Sequence, residues 1–395
     1  MVEPETTFRL SGIGDFPTGL TRYDALQDTT SVFRVEEPDG AYWICVDREL
    51  SVAALQDSAT FSSSSASPFD SEMPFALPPV MLDPPDHSNW RRLLLPWFTA
   101  KRIQTLEERV RERTQELLDK IEPRGECDFV KEFAFQLPTV IFLELLGLPV
   151  EDLDLFLSWL SPVVHPSEEG TLDRDGAAEA MGQIAVRCSE LLADRRAHPD
   201  PSRDDIASSM VTWEIDGVPV PDDQLMLCCV LLFIAGLDTV ANAMAYAVRY
   251  LATHDGDRQM ITSGSLAMAP VAEELLRAFT IPEITRKVMK DVELGDQLLH
   301  AGDLVLFPIG PINRDPKYVD HAREVVLDRQ DPPVNYAFGT GAHRCIGIHL
   351  ARLEMRTFLE MWHARIPDYR LADSSPVREY WGPVHGMKSL PLRWG

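Results

Sequence analysis

Basic residues are scarce in this chain. Among its 395 residues, 37 lysines and arginines stand against 62 aspartates and glutamates, so the formal net charge is −25. Nucleic acids bind to basic surfaces, and this charge balance therefore argues against nucleic acid as a general partner. The same excess of negative charge favours solubility.

Cysteines are also few, and none of them shows metal-site spacing. The six are Cys45, Cys127, Cys188, Cys228, Cys229 and Cys345. Cys228 and Cys229 are adjacent, which excludes a CxxC motif at that pair. We expect reduced thiols, as is usual for a cytoplasmic protein.

The sequence contains no Gly/Ser linker, internal repeat or targeting signal, so we expect one domain over residues 1–395. Residues 1–7 are acidic and polar, unlike a signal peptide or a membrane anchor. The apolar run Leu225–Val248 is long enough to span a bilayer, but Asp238 and Asn242 interrupt its centre. The run is therefore predicted to be the core helix of a soluble cytoplasmic protein that contacts no membrane.

Helical periodicity dominates the chain. Pro221, Asp222 and Asp223 predict the start of a long helix that runs from about Asp222 to about His254. Further helices are predicted at Ser88–Trp97, Lys101–Ile121, Lys131–Leu146, Ala177–Ala197, Pro270–Phe279 and Ile348–Ala364. Short strands are predicted at Ser31–Val35, Ala41–Val46, Lys287–Val292 and Asp303–Phe307. The expected fold is mainly α with small β-sheets.

The most informative segment is Phe338–Gly347, in which Cys345 follows a glycine-rich turn and precedes a predicted helix. Glycines let a backbone approach a flat ligand closely. A cysteine ahead of a helix N-terminus is expected to favour the thiolate, which is a good axial ligand for haem iron. One alternative is a structural cysteine buried in a turn. Another is a dinucleotide-binding loop, but Arg344 stands where that motif needs its third glycine.

The segment resembles the haem-binding loop of the cytochromes P450, and every fixed position of the pattern F-x-x-G-x-x-x-C-x-G is matched. The resemblance implies a single helix-rich, triangular domain. It also implies haem b (heme b, iron protoporphyrin IX) bound through the Cys345 thiolate. The residues that the resemblance places against the cofactor are His87, Arg91, Arg286, Phe338, Gly339, His343, Cys345 and Gly347.

The centre of the predicted long helix, Ala235–Thr239, contains residues that a helix interior disfavours. Glycine costs about 1 kcal/mol there, and aspartate and threonine compete with the backbone for hydrogen bonds. One interpretation is a packing notch against a neighbouring helix. The run is also similar to the oxygen-binding groove A-G-x-D-T of the cytochromes P450. That resemblance implies that Thr239 hydrogen-bonds dioxygen and that Asp238 relays protons, so both are predicted to be catalytic.

Glu274 and Arg277 are three residues apart on a predicted helix, where side chains are neighbours. One interpretation is a solvated surface pair of little energetic weight. The resemblance instead implies the E-x-x-R motif of the cytochromes P450. In that case Arg329 is the expected third partner, and the cluster holds the cysteine loop without taking part in the chemistry.

The resemblance extends over nearly the whole chain and is closest to the camphor-hydroxylase branch of soluble bacterial cytochromes P450. By this resemblance the substrate pocket is formed by Phe75, Leu77, Val80, Leu231, Ile234, Ala235, Pro282, Ile284, Pro383 and Val384. These residues are apolar, as in most small-molecule sites. Phe75 stands where the camphor enzymes have the tyrosine that anchors the carbonyl group. The chain also ends at Gly395, before part of that branch's C-terminal tail, so the expected substrate is another small terpenoid-like molecule.

The resemblance therefore implies a haem-thiolate monooxygenase, expected as a monomer, that uses dioxygen to hydroxylate a small hydrophobic substrate. Electrons are expected from a separate 2Fe–2S ferredoxin and its flavin reductase, because no reductase domain fits within this length. Such a ferredoxin is usually acidic and needs a local basic surface, for which the candidates are Arg91, Arg92, Lys101, Arg102 and Arg344. Two alternatives remain: a haem-thiolate peroxygenase or isomerase, which the Asp238–Thr239 pair disfavours, and a non-catalytic haem sensor or carrier.

Overall fold

The computed structural model describes residues 11–37, 40–65, 75–164, 173–372 and 377–395. About 52% of the structure is helical, which confirms the mainly α prediction. The helices are α1 (Thr18–Thr21), α2 (Asp24–Gln27), α3 (Arg48–Gln56), α4 (Asp86–Phe98), α5 (Ala100–Gln104), α6 (Glu107–Ile121), α7 (Gln136–Leu146), α8 (Leu153–Val164), α9 (Arg174–Ala197), α10 (Ile206–Met210), α11 (Asp222–Leu251), α12 (Asp255–Thr262), α13 (Met268–Ala278), α14 (Ile309–Asn313) and α15 (Ile348–Arg365). The strands are β1 (Gly12–Asp15), β2 (Val32–Glu37), β3 (Gly40–Cys45), β4 (Phe61–Ser62), β5 (Glu126–Asp128), β6 (Glu214–Ile215), β7 (Val218–Pro219), β8 (Glu283–Val288), β9 (Val292–Leu294), β10 (Gln297–Leu299), β11 (Leu304–Pro308), β12 (Arg370–Leu371), β13 (Arg378–Trp381), β14 (Gly386–Met387) and β15 (Pro391–Arg393).

Helix α11 runs through the largest hydrophobic core and packs against α7, α9, α15 and β14. Asp222 and Asp223 lie in its first turn, where their charges complement the helix dipole. The helix ends at Leu251, because the Thr253 hydroxyl donates to the Tyr250 carbonyl at 3.0 Å and competes with continued helical bonding. The predicted long helix is confirmed, and it ends three residues earlier than expected.

Within the described residues, α11 is also the one helix that is long and apolar enough to cross a membrane by length and composition. Core helices of globular proteins meet the same criterion. Its contacts with five α-helices (α7, α9, α12, α13 and α15) and with β14 identify it as such a core helix.

The largest sheet has five strands in the order β2-β3-β11-β8-β4, and β11 runs parallel to β3 while the other pairs are antiparallel. A smaller sheet pairs β13 with β1 and with β14. The connection between β13 and β14 reaches the start of β8 through a bridge between Pro282 and Val384. Two segments of the predicted pocket are thereby brought side by side.

Three predicted elements are divided in the structure. The segment Lys131–Leu146 begins within a π-helical turn, Val130–Ala134, which is followed by α7. The segment Lys101–Ile121 forms two helices, because the Thr105 hydroxyl donates to the Arg102 carbonyl at 2.7 Å and the Thr105 amide donates to the same oxygen at 3.1 Å, which ends α5. The predicted strand Lys287–Val292 covers the end of β8, an intervening turn and the start of β9. The Met289 amide there donates to the Thr60 carbonyl at 2.9 Å, away from the β11 ladder.

Candidate active site

Cys345 lies in a tight loop that leads into α15. Its amide donates to the Phe338 carbonyl at 2.8 Å and closes the loop. Gly339 and Gly341 have φ angles of 68° and 71°, in the left-handed region that favours glycine. A Cβ atom on Gly341 would lie 2.5 Å from the Leu55 carbonyl oxygen at the end of α3. Cys345 is exposed, whereas the other five cysteines are buried, so the loop presents one accessible sulphur on a fixed backbone.

The surroundings of Cys345 do not favour its thiolate unaided. Desolvation raises the pKa of the thiol, and the Gly347 amide and the charges of Arg91 and Arg344 only partly oppose this. Helix α15 begins at Ile348, so its dipole acts from three residues away. The helix N-terminus therefore acts on Cys345 only from a distance, and the expectation of a thiolate stays a prediction. A metal ion that coordinates the sulphur removes the proton outright.

The centre of α11 is accessible although the helix lies in the core. Ala235 is exposed, and Leu231, Ile234 and Thr239 are half-buried. Within the described part of the chain, the Thr239 hydroxyl makes no hydrogen bond, although a helical threonine commonly donates to the carbonyl four residues earlier. This face of the helix is therefore open, and it carries a hydroxyl that has no partner among the described residues.

Gly236 has a different role from its polar neighbours. A Cβ atom on Gly236 would lie 2.5 Å from Cδ2 of Phe142 on α7. The packing-notch interpretation is thus correct for this glycine. Asp238 is buried on another face of the helix, where Asn242 donates to its Oδ1 at 2.7 Å. The packing of Gly236 against α7 therefore does not explain why polar residues stand beside it.

Beside the cysteine loop, side chains of α4, β8 and the loop form a nitrogen-rich cluster. The rings of His87 and His343 are 4.0 Å apart between centroids. Burial and the charges of Arg91 and Arg286 lower the pKa of His87 to about 4. Burial, His87 and the same two arginines lower the pKa of His343 to about 3. The Asp83 carboxylate partly offsets the lowered pKa of His87, and it accepts hydrogen bonds from two serines.

The same cluster has unused hydrogen-bonding capacity. His87 Nδ1 and His343 Nε2 are buried and have no hydrogen-bond partner among the described residues. Two neutral imidazoles and two guanidinium groups form a site with an excess of positive charge and of donors. Carboxylate groups of a ligand satisfy both properties.

Glu274 and Arg277 are buried, so the surface-pair interpretation is wrong. Arg277 donates to Glu274 from Nε and Nη2, both at 2.8 Å. Arg329 donates to the same carboxylate at 3.2 and 3.1 Å. Burial would raise the pKa of Glu274, but these hydrogen bonds outweigh it and hold the pKa below its ordinary value.

The Glu274 cluster is connected to the cysteine loop through the backbone that precedes it. Arg277 also donates to the Asn313 carbonyl at 3.0 Å. The Asn313 side chain in turn accepts from the Tyr336 amide at 2.8 Å, two residues before Phe338. The cluster thus anchors the segment from which the loop starts.

Four of the predicted pocket residues, Pro282, Ile284, Pro383 and Val384, are half-buried around the bridge between β8 and the β13–β14 connection. Leu77 is buried. Phe75 and Val80 are 38% and 40% exposed. The α11 residues of the predicted pocket lie on the accessible helix face described above.

Sequence reasoning missed a buried carboxyl group on the helix that follows the loop. Glu354 is 1% exposed, and burial raises its pKa to about 8. Its Oε1 has no hydrogen-bond partner among the described residues. The signal in the sequence was a glutamate on the apolar side of α15, nine residues after Cys345.

Comparison with known proteins decides the family. The family model for cytochrome P450 matches residues 267–362, which include Glu274, Arg277 and Cys345. A protein of Sinorhizobium fredii named probable cytochrome P450 127A1 is 32% identical over 356 residues, which covers 89% of this chain and 83% of the relative. The chain belongs to the cytochrome P450 family.

Other relatives support the same assignment. The vitamin D(3) 25-hydroxylase of Pseudonocardia autotrophica is 30% identical over 94% of this chain and 93% of its own length. The mycinamicin IV hydroxylase/epoxidase of Micromonospora griseorubida is 32% identical over 95% of this chain and 96% of its own length. The crystal structure of CYP101J2 superposes with a TM-score of 0.86 at 29% identity, covering 98% of this chain and 96% of that one.

This cytochrome P450 is a haem-dependent monooxygenase with the fold of its family, and the family carries haem b on a cysteine thiolate. The residues present fit that cofactor. The accessible sulphur of Cys345 suits the iron, and the unsatisfied nitrogens of His87 and His343 suit the two propionate groups.

The Glu274 cluster leads to a prediction on stability. Glu274→Gln is expected to lower the free energy of unfolding of the haem-loaded protein by about 3–5 kcal/mol, because it leaves two arginines without their carboxylate in a buried site. The matched control is Glu273→Gln on the same helix, whose ion pair with Arg352 is about one-third exposed. The control is expected to cost less than about 1 kcal/mol. Equal losses in chemical denaturation would contradict a special role for Glu274.

Proposed function

We propose that this cytochrome P450 hydroxylates a small apolar, terpenoid-like substrate, with Cys345 as the axial ligand of haem iron. The observation that carries the proposal is the position of Cys345, the one exposed cysteine, in a loop closed by its own hydrogen bond to Phe338. The other five cysteines are buried and unsuited to this role.

When bound, the haem supplies the oxidising chemistry. The chain's own residues do the rest. Cys345 would hold the iron through its thiolate, and His87, Arg91, Arg286 and His343 would hold the propionates. The hydroxyl of Thr239, unbonded within the described residues, holds a proton, and the Asp238 carboxylate would pass protons to it.

The proposed substrate class follows from the residues that the family resemblance assigns to the pocket. Those that contribute from outside α11 are Phe75, Leu77, Val80, Pro282, Ile284, Pro383 and Val384, and none of them carries a hydrogen-bonding side chain. A ligand held there gains affinity from apolar burial. This favours a hydrocarbon-like molecule over one that needs several polar anchors.

A larger substrate is a second candidate, and the relatives favour it. Two of them are named for the hydroxylation of vitamin D(3) and the hydroxylation or epoxidation of mycinamicin IV. Another solved relative holds erythromycin B. Phe75 and Val80, which the family resemblance assigns to the pocket, are half-exposed, which suits a longer molecule that extends beyond it.

A screen for substrate-induced changes in the haem spin state tests the two candidates. The panel contains monoterpenes, a secosteroid and a macrolide. We expect spin-state changes with monoterpenes at lower concentrations than with the two larger classes. Tighter responses to the secosteroid or the macrolide would favour the second candidate.

We further propose a 2Fe–2S ferredoxin as the electron donor, in a monomeric, single-domain, cytoplasmic protein. Two grooves of about 870 and 520 Å³ flank the cysteine loop; Arg344 lines the first and Arg92 the second. Neither arginine, nor the exposed Lys101, forms an ion pair with a described residue. Arg102 is less available, because it pairs with Asp204 at 2.8 Å, and half-buried Arg91 belongs to the anion site.

Arg92→Glu and Arg344→Glu are each expected to slow reduction by an acidic ferredoxin about 10-fold at low salt, and added salt should reduce the difference. The control is Arg34→Glu, which makes the same change of charge at an exposed position of β2, an edge strand of the five-stranded sheet. Stopped-flow reduction at several ionic strengths gives the rates. If all three variants keep the parental rate at low salt, the docking surface lies elsewhere.

A further inference from the structure

A polar face of α11 is directed at the small sheet of β1, β13 and β14. Asp238, Asn242 and Tyr246 follow one another at intervals of four residues, so they share one side of the helix. All three are buried, and α11 packs against β14. Buried polar groups are costly unless they are hydrogen-bonded, so each of these side chains needs a partner in this contact.

Asn242 joins the carboxyl group of Asp238 to a phenol on β13. Its Nδ2 donates to Asp238 Oδ1 at 2.7 Å and to the Tyr380 hydroxyl at 3.1 Å. Its Oδ1 accepts from the Met387 amide at 3.2 Å and from the Tyr380 hydroxyl at 3.4 Å. The orientation of the Asn242 amide is thus set by groups on the hairpin.

The hairpin closes tightly over this contact. A Cβ atom on Gly386 would lie 2.2 Å from both Asn242 Oδ1 and the Tyr380 hydroxyl oxygen. Tyr380 is 1% exposed and Asn242 is fully buried. Burial, followed by the charge of Asp238 and a direct hydrogen bond to its carboxylate, raises the pKa of Tyr380 well above its ordinary value, so the phenol remains a hydrogen-bond donor. The arrangement has little freedom to rearrange.

We propose that Tyr380 is a positioning residue of the proton relay, and that, both directly and through Asn242, it holds the Asp238 carboxylate in the orientation that serves Thr239. This inference rests on the proposed function, because it requires Asp238 to be the relay acid. Asp238 sits on a helix of fixed backbone, so its side-chain torsions decide where its carboxylate points. A misplacement of about 1 Å at a catalytic group can cost about 100-fold in rate.

The test uses the haem-loaded protein with saturating ferredoxin and an NADH-dependent ferredoxin reductase. NADH-linked oxygen consumption per bound haem is measured with limonene as an apolar probe and again without it, so the result does not depend on turnover of limonene. Tyr380→Phe is expected to slow oxygen consumption about 10-fold, with an unchanged haem spectrum. Asn242→Ala breaks the same contact from the helix side and is expected to slow oxygen consumption by a similar factor. This variant keeps the test valid if Tyr380→Phe folds poorly.

Tyr246→Phe is the matched control. Tyr246 is equally buried, lies on the same helix face and donates to Glu379 Oε2 at 2.8 Å. Its loss costs a comparable buried hydrogen bond without touching Asp238. The rate of this variant is expected to stay within about 2-fold of the parent. Equal slowing by the two tyrosine variants would mean that the hairpin contact is only structural.

A double-mutant comparison identifies the route. If Tyr380 acts through Asp238, Tyr380→Phe should change the rate of Asp238→Asn by less than about 2-fold. A full additional 10-fold loss in that background would overturn the proposal, as would a parental rate for Tyr380→Phe alone. Failure of the proposed function would give different results. The parent protein would then lack the spectrum of a thiolate-bound haem, or the Asp238→Asn variant would keep the parental rate.

Discussion

Cys345→Ala is expected to abolish the red-shifted Soret band that the reduced carbonyl complex of a haem-thiolate protein shows. The physical reason is that no other cysteine can replace it, since the remaining five are buried. Haem that still binds through the nitrogen cluster at His87 and His343 would lack its thiolate and show a spectrum of another ligand type. The absorption spectrum of the reduced protein under carbon monoxide measures the effect.

Cys127→Ala is the control for the loss of a thiol. Cys127 lies on β5 and is buried, and desolvation raises the pKa of its thiol to about 12. Its replacement is expected to leave the parental carbonyl spectrum. A red-shifted band that persists in Cys345→Ala would assign the axial ligand to another residue.

Thr239→Ala is expected to separate electron consumption from product formation. The hydroxyl makes no hydrogen bond within the described residues and lies on the accessible face of α11, so its removal should leave the fold and substrate binding intact. Protons then reach the wrong oxygen atom, and peroxide replaces most of the product. We expect the rate of NADH oxidation to stay within about 3-fold of the parent, while the yield of product per NADH falls by about 10-fold. That factor is smaller than the usual rate contribution of a group that transfers protons.

Thr239→Ser supplies the matched control, because it restores the hydroxyl without the methyl group. It should recover most of the product per NADH. Product, peroxide and NADH are quantified in the same reaction with a compound selected by the spin-state screen. A Thr239→Ala variant that couples NADH to product as well as the parent would remove Thr239 from the relay.

The parts of the site that could be predicted from sequence are those whose residues lie close together in the chain. The Cys345 loop and the centre of α11 each place their distinctive residues within about ten positions, so the pattern survives without knowledge of the fold. The break at Thr105 was not predictable in the same way. It depends on one hydroxyl that bonds the Arg102 carbonyl, whereas the apolar periodicity continues across the break.

Contacts between distant segments account for most of what sequence reasoning missed. Tyr380 meets Asn242 across 138 positions, and only the packing of the β13–β14 hairpin on α11 reveals that contact. Asn242 itself was visible as a polar interruption of an apolar helix, but its partner was not. Helix α3 was also missed, although Asp47 carries the capping signal and accepts from the Leu50 amide at 3.0 Å.

Oxygen-18 labelling distinguishes a monooxygenase from the alternatives. The haem-loaded protein is supplied with ferredoxin, its reductase, NADH, isotopically labelled dioxygen and a compound selected by the spin-state screen. We expect a hydroxylated product that carries one labelled oxygen atom, while the second labelled atom appears in water. An unlabelled oxygenated product that forms only when peroxide is added, or a rearranged product without new oxygen, would contradict a dioxygen-dependent monooxygenase.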